Sequence, residues 1–274
     1  MSSIESILRS ERDFFSDILF DQQQLTIEQK KAFRNETVAQ RRQRLSYDFF
    51  QKTKGRVIRG PFEGLQLDSD PAWGSADLAS MLLGCYELEV LEALSAAEFL
   101  DKRHFVDIGA ADGYYCVGTL FNNRFDTADS FELTQTGRET ISRVAVRNGV
   151  SNRLRIFGAA DSNIPTALKD VDWSNTVVLC DIEGAEFDLF DEHCLAAMRG
   201  AMIIIEIHNW IEEFWPKYES LLSRASHYYS LRMLERSQLP STYSPELRGV
   251  PDDNRLLMLS EGRPNIMRFL QLVS

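Results

Sequence analysis

Two apolar runs in this chain end in side chains that could do chemistry. Residues 176–183 (TVVLCDIE) close on Asp181 and Glu183, and residues 201–208 (AMIIIEIH) close on Glu206 and His208. Glu186 follows three residues after Glu183. Paired carboxylates can clamp hydroxyl groups and take a proton from one of them. An imidazole titrates near neutral pH and as a general base adds ~10²–10⁴-fold to such a step. Two further readings stay open. A lone histidine after an apolar strand can be a packed, hydrogen-bonded core residue. An oxygen-rich acidic group can hold an octahedral Mg²⁺ ion. The spacing is no recognised metal motif, so no metal is expected, and activity is expected to survive chelation. His104, His193 and His227 lie in strand-start or helical contexts away from these ends.

These groups need a scaffold, and residues 105–115 (FVDIGAADGYY) indicate which one. Phe105, Val106 and Ile108 suit a buried strand, and Tyr114 onward suits a helix. Gly109 and Gly113 bracket the turn between them, where backbone without a Cβ can approach a ligand closely. The spacing is not the Gly-x-Gly-x-x-Gly of dinucleotide binders, which argues against a nicotinamide oxidoreductase. Asp107, inside the apolar strand, is costly to bury without a partner. The turn's own N–H groups or a ligand ammonium could serve. A second strand ends at Glu132. A third, 154–158, is followed by Ala160 and Asp161, and Asp161 could equally sit beside the cap of the next helix. Strands alternating with helices imply a mostly parallel sheet, whose ligands lie beyond the carboxyl ends of the strands. Five polar clusters should therefore converge on one edge.

The segments VDIGAADGYY (106–115), DIEGAE (181–186) and IEIH (205–208) resemble class I S-adenosylmethionine-dependent methyltransferases, and more narrowly the FkbM-like family. The resemblance covers about residues 85–235. GPFEG (60–64) and GCYE (84–87) are similar to segments of methyltransferases from bacterial surface-polysaccharide clusters. It implies an α/β, Rossmann-like fold with a seven-stranded sheet, helices on both faces and an N-terminal helical extension. It also implies a cofactor, S-adenosylmethionine, held by Asp107, Gly109, Ala110, Gly113, Glu132, Ala160, Asp161 and Asp181. Glu132 would take the ribose hydroxyls and Asp161 the adenine amino group. His208, Glu183 and Glu206 would be the catalytic candidates for methyl transfer to a hydroxyl of a sugar or glycoconjugate. The alternatives are a polyketide, lipid or other small acceptor, or a silent scaffold in a biosynthetic complex.

The 274 residues suit one large α/β unit with an added segment, read as an extension over 1–100 and a cofactor-binding domain over 101–274. The net charge of −11 argues against nucleic acid as a partner. Residues 1–60 hold 12 Lys/Arg and 8 Asp/Glu, a balance of +4 that leaves −15 on the rest. The four cysteines show no Cys-x-x-Cys pair, and there is no long apolar run, so a cytoplasmic chain without a membrane span is expected. Residues 4–19 carry Ile4, Ile7, Leu8, Phe14, Phe15, Ile18 and Leu19 at helical spacing, and 26–50 form a second helix candidate opened by Thr26 and Gln29. This pair must cover the main domain or join a second copy as a homo-oligomer. Residues 77–99 are helical in period, with a break near Gly84. Residues 226–234 and 255–260 read as the last two strands, joined by a loop over 238–254 long enough to act as a gate.

Overall fold

The five apolar runs between residues 104 and 208 that end in polar residues form strands. The computed structural model describes residues 3–15, 26–96, 99–263 and 267–274. Strands β1 (His104–Ile108), β2 (Thr127–Phe131), β3 (Leu154–Phe157), β4 (Thr176–Cys180) and β5 (Met202–Ile207) pair in parallel. β6 (Ser230–Met233) and β7 (Arg268–Val273) complete one seven-stranded sheet in the order β3-β2-β1-β4-β5-β7-β6, with β7 antiparallel to both neighbours. This is the expected Rossmann-like arrangement, a mostly parallel sheet with one antiparallel strand. β4 and β5 are buried along their whole length, as strands covered on both faces must be.

Among the described residues five helices precede the sheet: α1 (Ser3–Phe15), α2 (Ile27–Arg34), α3 (Val38–Thr53), α4 (Leu78–Leu82) and α5 (Leu88–Ser95). Seven more run among the strands: α6 (Tyr114–Phe121), α7 (Gln135–Arg147), α8 (Ile164–Ala167), α9 (Glu186–Leu189), α10 (Glu192–Ala197), α11 (Phe214–Ser226) and α12 (Asp252–Leu259). Alternate strand residues feed opposite faces. Phe105, Val177 and Ile204 join a core with Phe49, Leu82, Leu91, Leu120 and Ile141. Val106, Val178 and Ile203 join a second core with Phe187, Leu195 and Leu221.

The 26–50 helix candidate is two helices. Thr26 and Thr37 each cap one, accepting from Gln29 N–H and Gln40 N–H at 3.2 Å, and each glutamine returns the bond. α3 docks on the first core through Leu45, Phe49 and Phe50. On α1, Ile4, Ile7 and Leu8 are exposed. Ile18 and Leu19 of that stripe lie outside the described residues. Gly84 separates α4 from α5 at φ +66°, and a Cβ there would come 2.1 Å from the Arg59 carbonyl oxygen.

The expectation of a last strand over 255–260 is corrected. That stretch lies in α12, and the last strand is 268–273. A short apolar run such as Leu256-Leu257-Met258-Leu259 has no period long enough to separate strand from helix. Pro251 followed by Asp252 and Asp253 is the start signal that decides for helix. Segment 238–254 therefore runs from β6 into α12. Leu239, Leu247 and Val250 pack on the first core, and Glu246 pairs with Arg59 at 3.1 Å.

Cys85, Cys116, Cys180 and Cys194 are all buried and free. Among the described residues no helix is long and apolar enough to cross a membrane.

Candidate functional site

The turn after β1 is built by glycine. Gly109 lies at φ +87°, and a Cβ there would come 1.7 Å from the Asp181 carbonyl oxygen. The ends of β1 and β4 are thus pressed together, and Asp181 N–H donates to the Ile108 carbonyl at 2.9 Å. Gly113 opens α6 at φ +85°. Ala110 is buried, and its N–H donates to the Phe131 carbonyl at 3.0 Å. Asp107 is buried and finds its partner in the chain itself, accepting from Cys116 N–H in the first turn of α6 at 2.9 Å. Burial pushes its pKa up to about 7 against the pull of that bond.

Glu132 stands beside this turn at the end of β2. One carboxylate oxygen accepts from Ala111 N–H at 3.0 Å, and the other accepts from Thr134 N–H at 2.8 Å and the Thr134 hydroxyl at 2.7 Å. Gly137 in α7 makes room, since a Cβ there would lie 2.6 Å from Glu132 Cγ. A carboxylate has about four acceptor sites, so Glu132 keeps capacity for a ligand hydroxyl. Ala160 is half-buried and Asp161 exposed, beyond β3. Asp161 accepts from Asn163 N–H at 2.8 Å, a turn at the entry to α8. β2 and β1 separate this end of the sheet from β4.

Asp181, Glu183, Glu206 and His208 are brought together. His208 is 1% exposed. Its Nε2 lies 3.3 Å from Asp181, 3.6 Å from Glu206 and 3.7 Å from Glu183. Glu186, fully buried, contacts His208 Nδ1 at 3.0 Å and also accepts from the His208 and Gly184 N–H groups. Burial would lower the imidazole pKa, but Asp181 and Glu186 outweigh it and raise it to about 9. Burial acts the other way on Glu206, and with the nearby Asp181 and Glu87 charges it pushes that carboxyl up to about 11. Glu183, at φ +54°, is raised by burial and by Asp181. Asp181 is lowered, because His208 and Glu206 prevail over burial.

A cavity of about 430 Å³ opens over this cluster, lined by Trp73, Asp77, Tyr86, Trp210, Arg263 and Met267 besides Asp181, Glu183 and His208. The sequence reading assigned no role to most of these. Trp73 is held there by Asp112, which accepts from Ala72 N–H at 2.6 Å and Trp73 N–H at 3.3 Å. Trp210 stands edge-on to His208 at 4.8 Å between ring centres. Arg263 bridges Glu206 and Glu87, and its Nε lies 3.1 Å from Glu261. The one signal in the sequence was GCYE (84–87), which contains Tyr86 and Glu87.

No protein-family model and no curated protein sequence matches the chain. Solved structures do. The C-terminal domain of precorrin-6Y C5,15-methyltransferase from Rhodobacter capsulatus is 20% identical, with a TM-score of 0.40 over 67% of this chain and 86% of that one. Precorrin 8W decarboxylase from Methanobacterium thermoautotrophicum is 14% identical, with a TM-score of 0.40 over 68% and 88%. The m1A22 tRNA methyltransferase of Bacillus subtilis is 10% identical, with a TM-score of 0.39 over 66% and 63%. At these scores the likeness says nothing about what this chain acts on.

Proposed function

We infer that this protein is an S-adenosylmethionine-dependent O-methyltransferase whose acceptor is a hydroxyl of a sugar or glycoconjugate. The observation that carries the reading is adjacency. The glycine turn after β1 and the acidic, tryptophan-lined cavity meet at the contact between Gly109 and Asp181. The turn suits the amino acid end of the cofactor as the strand-to-helix corner that leads into α6 beside the cavity. Glu132 would hold the ribose diol, with Gly109, Ala110 and Gly113 at the amino acid end and Ala160 and Asp161 beyond the diol. When bound, S-adenosylmethionine supplies a methyl carbon already activated by its sulfonium.

The chain's own residues have two tasks. The first is to hold the acceptor in line, the larger contribution to such a displacement. Trp73 and Trp210 offer flat apolar faces to the C–H side of a sugar ring, and Asp77, Asp181 and Glu183 offer acceptors to its hydroxyls. The second is to take the hydroxyl proton. Glu183 suits this best: its side chain is half-exposed and its raised pKa makes it a better base than an ordinary carboxylate. His208, whose pKa Asp181 and Glu186 raise to about 9, is the poorer base of the two.

Calorimetry with S-adenosylhomocysteine tests the cofactor half. The chain should bind it, and Glu132→Ala should bind ten- to a hundred-fold more weakly, from a charge-assisted hydrogen bond of roughly 1.5–3 kcal/mol. Unchanged affinity in a folded variant would remove Glu132 from the ribose position. Methyl transfer to a panel of glycosides and non-sugar alcohols tests the acceptor half, and equal turnover of both groups would overturn the sugar assignment.

A further inference from the structure

The strand-end cluster is arranged as a ligand set. His208 is almost wholly buried, and Glu186 on Nδ1 and on the His208 N–H fixes the ring so that Nε2 faces the ends of β4 and β5. Nε2 lies 3.3 Å from Asp181 Oδ1 and 3.6 Å from Glu206 Oε2 without hydrogen-bonding either among the described residues. Asp181 Oδ1 is itself a buried oxygen with no hydrogen-bond partner. The other Glu206 oxygen is taken by Arg263, which leaves Oε2 directed at the same point. One ligand atom from each of the three residues falls within 4.8 Å of the others. Neighbouring ligands of an octahedral ion at about 2.1 Å stand roughly 3 Å apart, close to the 3.3 and 3.6 Å that separate Nε2 from the two carboxylates. A carboxylate behind the metal-bound imidazole is the usual second layer of such sites, and Glu186 supplies it.

We propose that Asp181, Glu206 and His208 form a three-residue site for an octahedral divalent cation of the Mn²⁺ or Mg²⁺ kind, with its remaining positions open to the cavity beneath Trp73 and Trp210. One imidazole with two carboxylates suits Mn²⁺ better than an all-oxygen ion, and the three groups share one side of the ion. An acceptor hydroxyl or diol entering the cavity would complete the coordination. Glu183, 3.7 Å from Nε2 and half-exposed, stays outside the set as the proton acceptor. The site reverses the metal-free expectation drawn from sequence spacing. It rests on these side chains alone and stands whether or not the chain transfers a methyl group.

The test is titration of the chelator-treated full chain with MnCl₂, with free Mn²⁺ followed by electron paramagnetic resonance. One tight equivalent per chain is expected. Asp181→Asn and His208→Gln should each weaken it at least tenfold, while Glu183→Gln should retain it. Pulsed resonance on the wild-type protein should show coupling to an imidazole nitrogen, which needs no variant to fold. The proposal is overturned if no tight equivalent forms, if no nitrogen coupling is seen, or if folded Asp181 and His208 variants bind as the wild type does. S-adenosylhomocysteine binding, measured separately, reports on the cofactor reading and is not moved by any of these results.

Discussion

At the scale of the residue, small side chains decide as much as charged ones. Gly137 sits in α7, where alanine would ordinarily gain about 0.8–1.0 kcal/mol of helix propensity. Its Cβ would lie 2.6 Å from Glu132 Cγ, so Gly137→Ala must move the carboxylate. The displacement should dominate: S-adenosylhomocysteine affinity is expected to fall about tenfold by calorimetry, with the melting temperature within a few degrees of wild type. Gly109→Ala is a different case. Its Cβ would meet a backbone oxygen at 1.7 Å, and the residue sits at φ +87°. A loss of more than about 3 kcal/mol in urea unfolding is expected, since a core strand end has to shift. Glycine and acid positions such as Gly109, Asp107 and Glu132 were legible in the sequence because each sits in a short local pattern. Arg263, Trp73 and Asp112 were not, because their partners are 176, 39 and 40 residues away in sequence and no local pattern marks them. Glu186 was grouped in the sequence with the strand-end acids. It opens α9, and its full burial against His208 is a tertiary fact.

At the scale of the element, the strands of the parallel sheet were readable because each is apolar on both faces and stops at a polar residue. α12 was not, since the same short apolar run serves either structure and only its flanks decide. The contact between β1 and α6 has a pH signature. Asp107 titrates at about 7 when folded against an ordinary value of 3.8. The folded chain therefore binds more protons than the unfolded chain between about pH 4 and pH 7, and stability falls across that window as pH rises. Asp107→Asn keeps an acceptor for Cys116 N–H and removes the charge. Compared with wild type, its urea midpoint should improve between pH 4 and pH 8, and parallel curves would show that Asp107 does not titrate there. The segment around Trp73 hangs on a single side chain. Asp112→Ala should speed hydrogen exchange at Ala72 and Trp73, read by mass spectrometry of that peptide, because both N–H groups lose their acceptor.

At the scale of the whole molecule, the sequence pointed to one α/β sheet with helices added ahead of it. It left open what those helices cover. α3 packs on the first core, whereas α1 leaves Ile4, Ile7 and Leu8 at 67%, 60% and 49% exposure. If that face joins two copies, Ile4→Asp with Ile7→Asp should convert a dimer to a monomer in sedimentation velocity and leave the circular dichroism of the sheet unchanged. A monomer in both forms would remove self-association through α1. The four free cysteines are spread through the buried interior. Cys85 follows α4, Cys116 lies in α6, Cys180 ends β4 and Cys194 lies in α10. Burial holds all four thiols above their ordinary pKa, so neither access nor thiolate is available in the closed fold. The native chain thus carries its own set of clocks: the rate at which each thiol meets an alkylating reagent times the opening of its own neighbourhood.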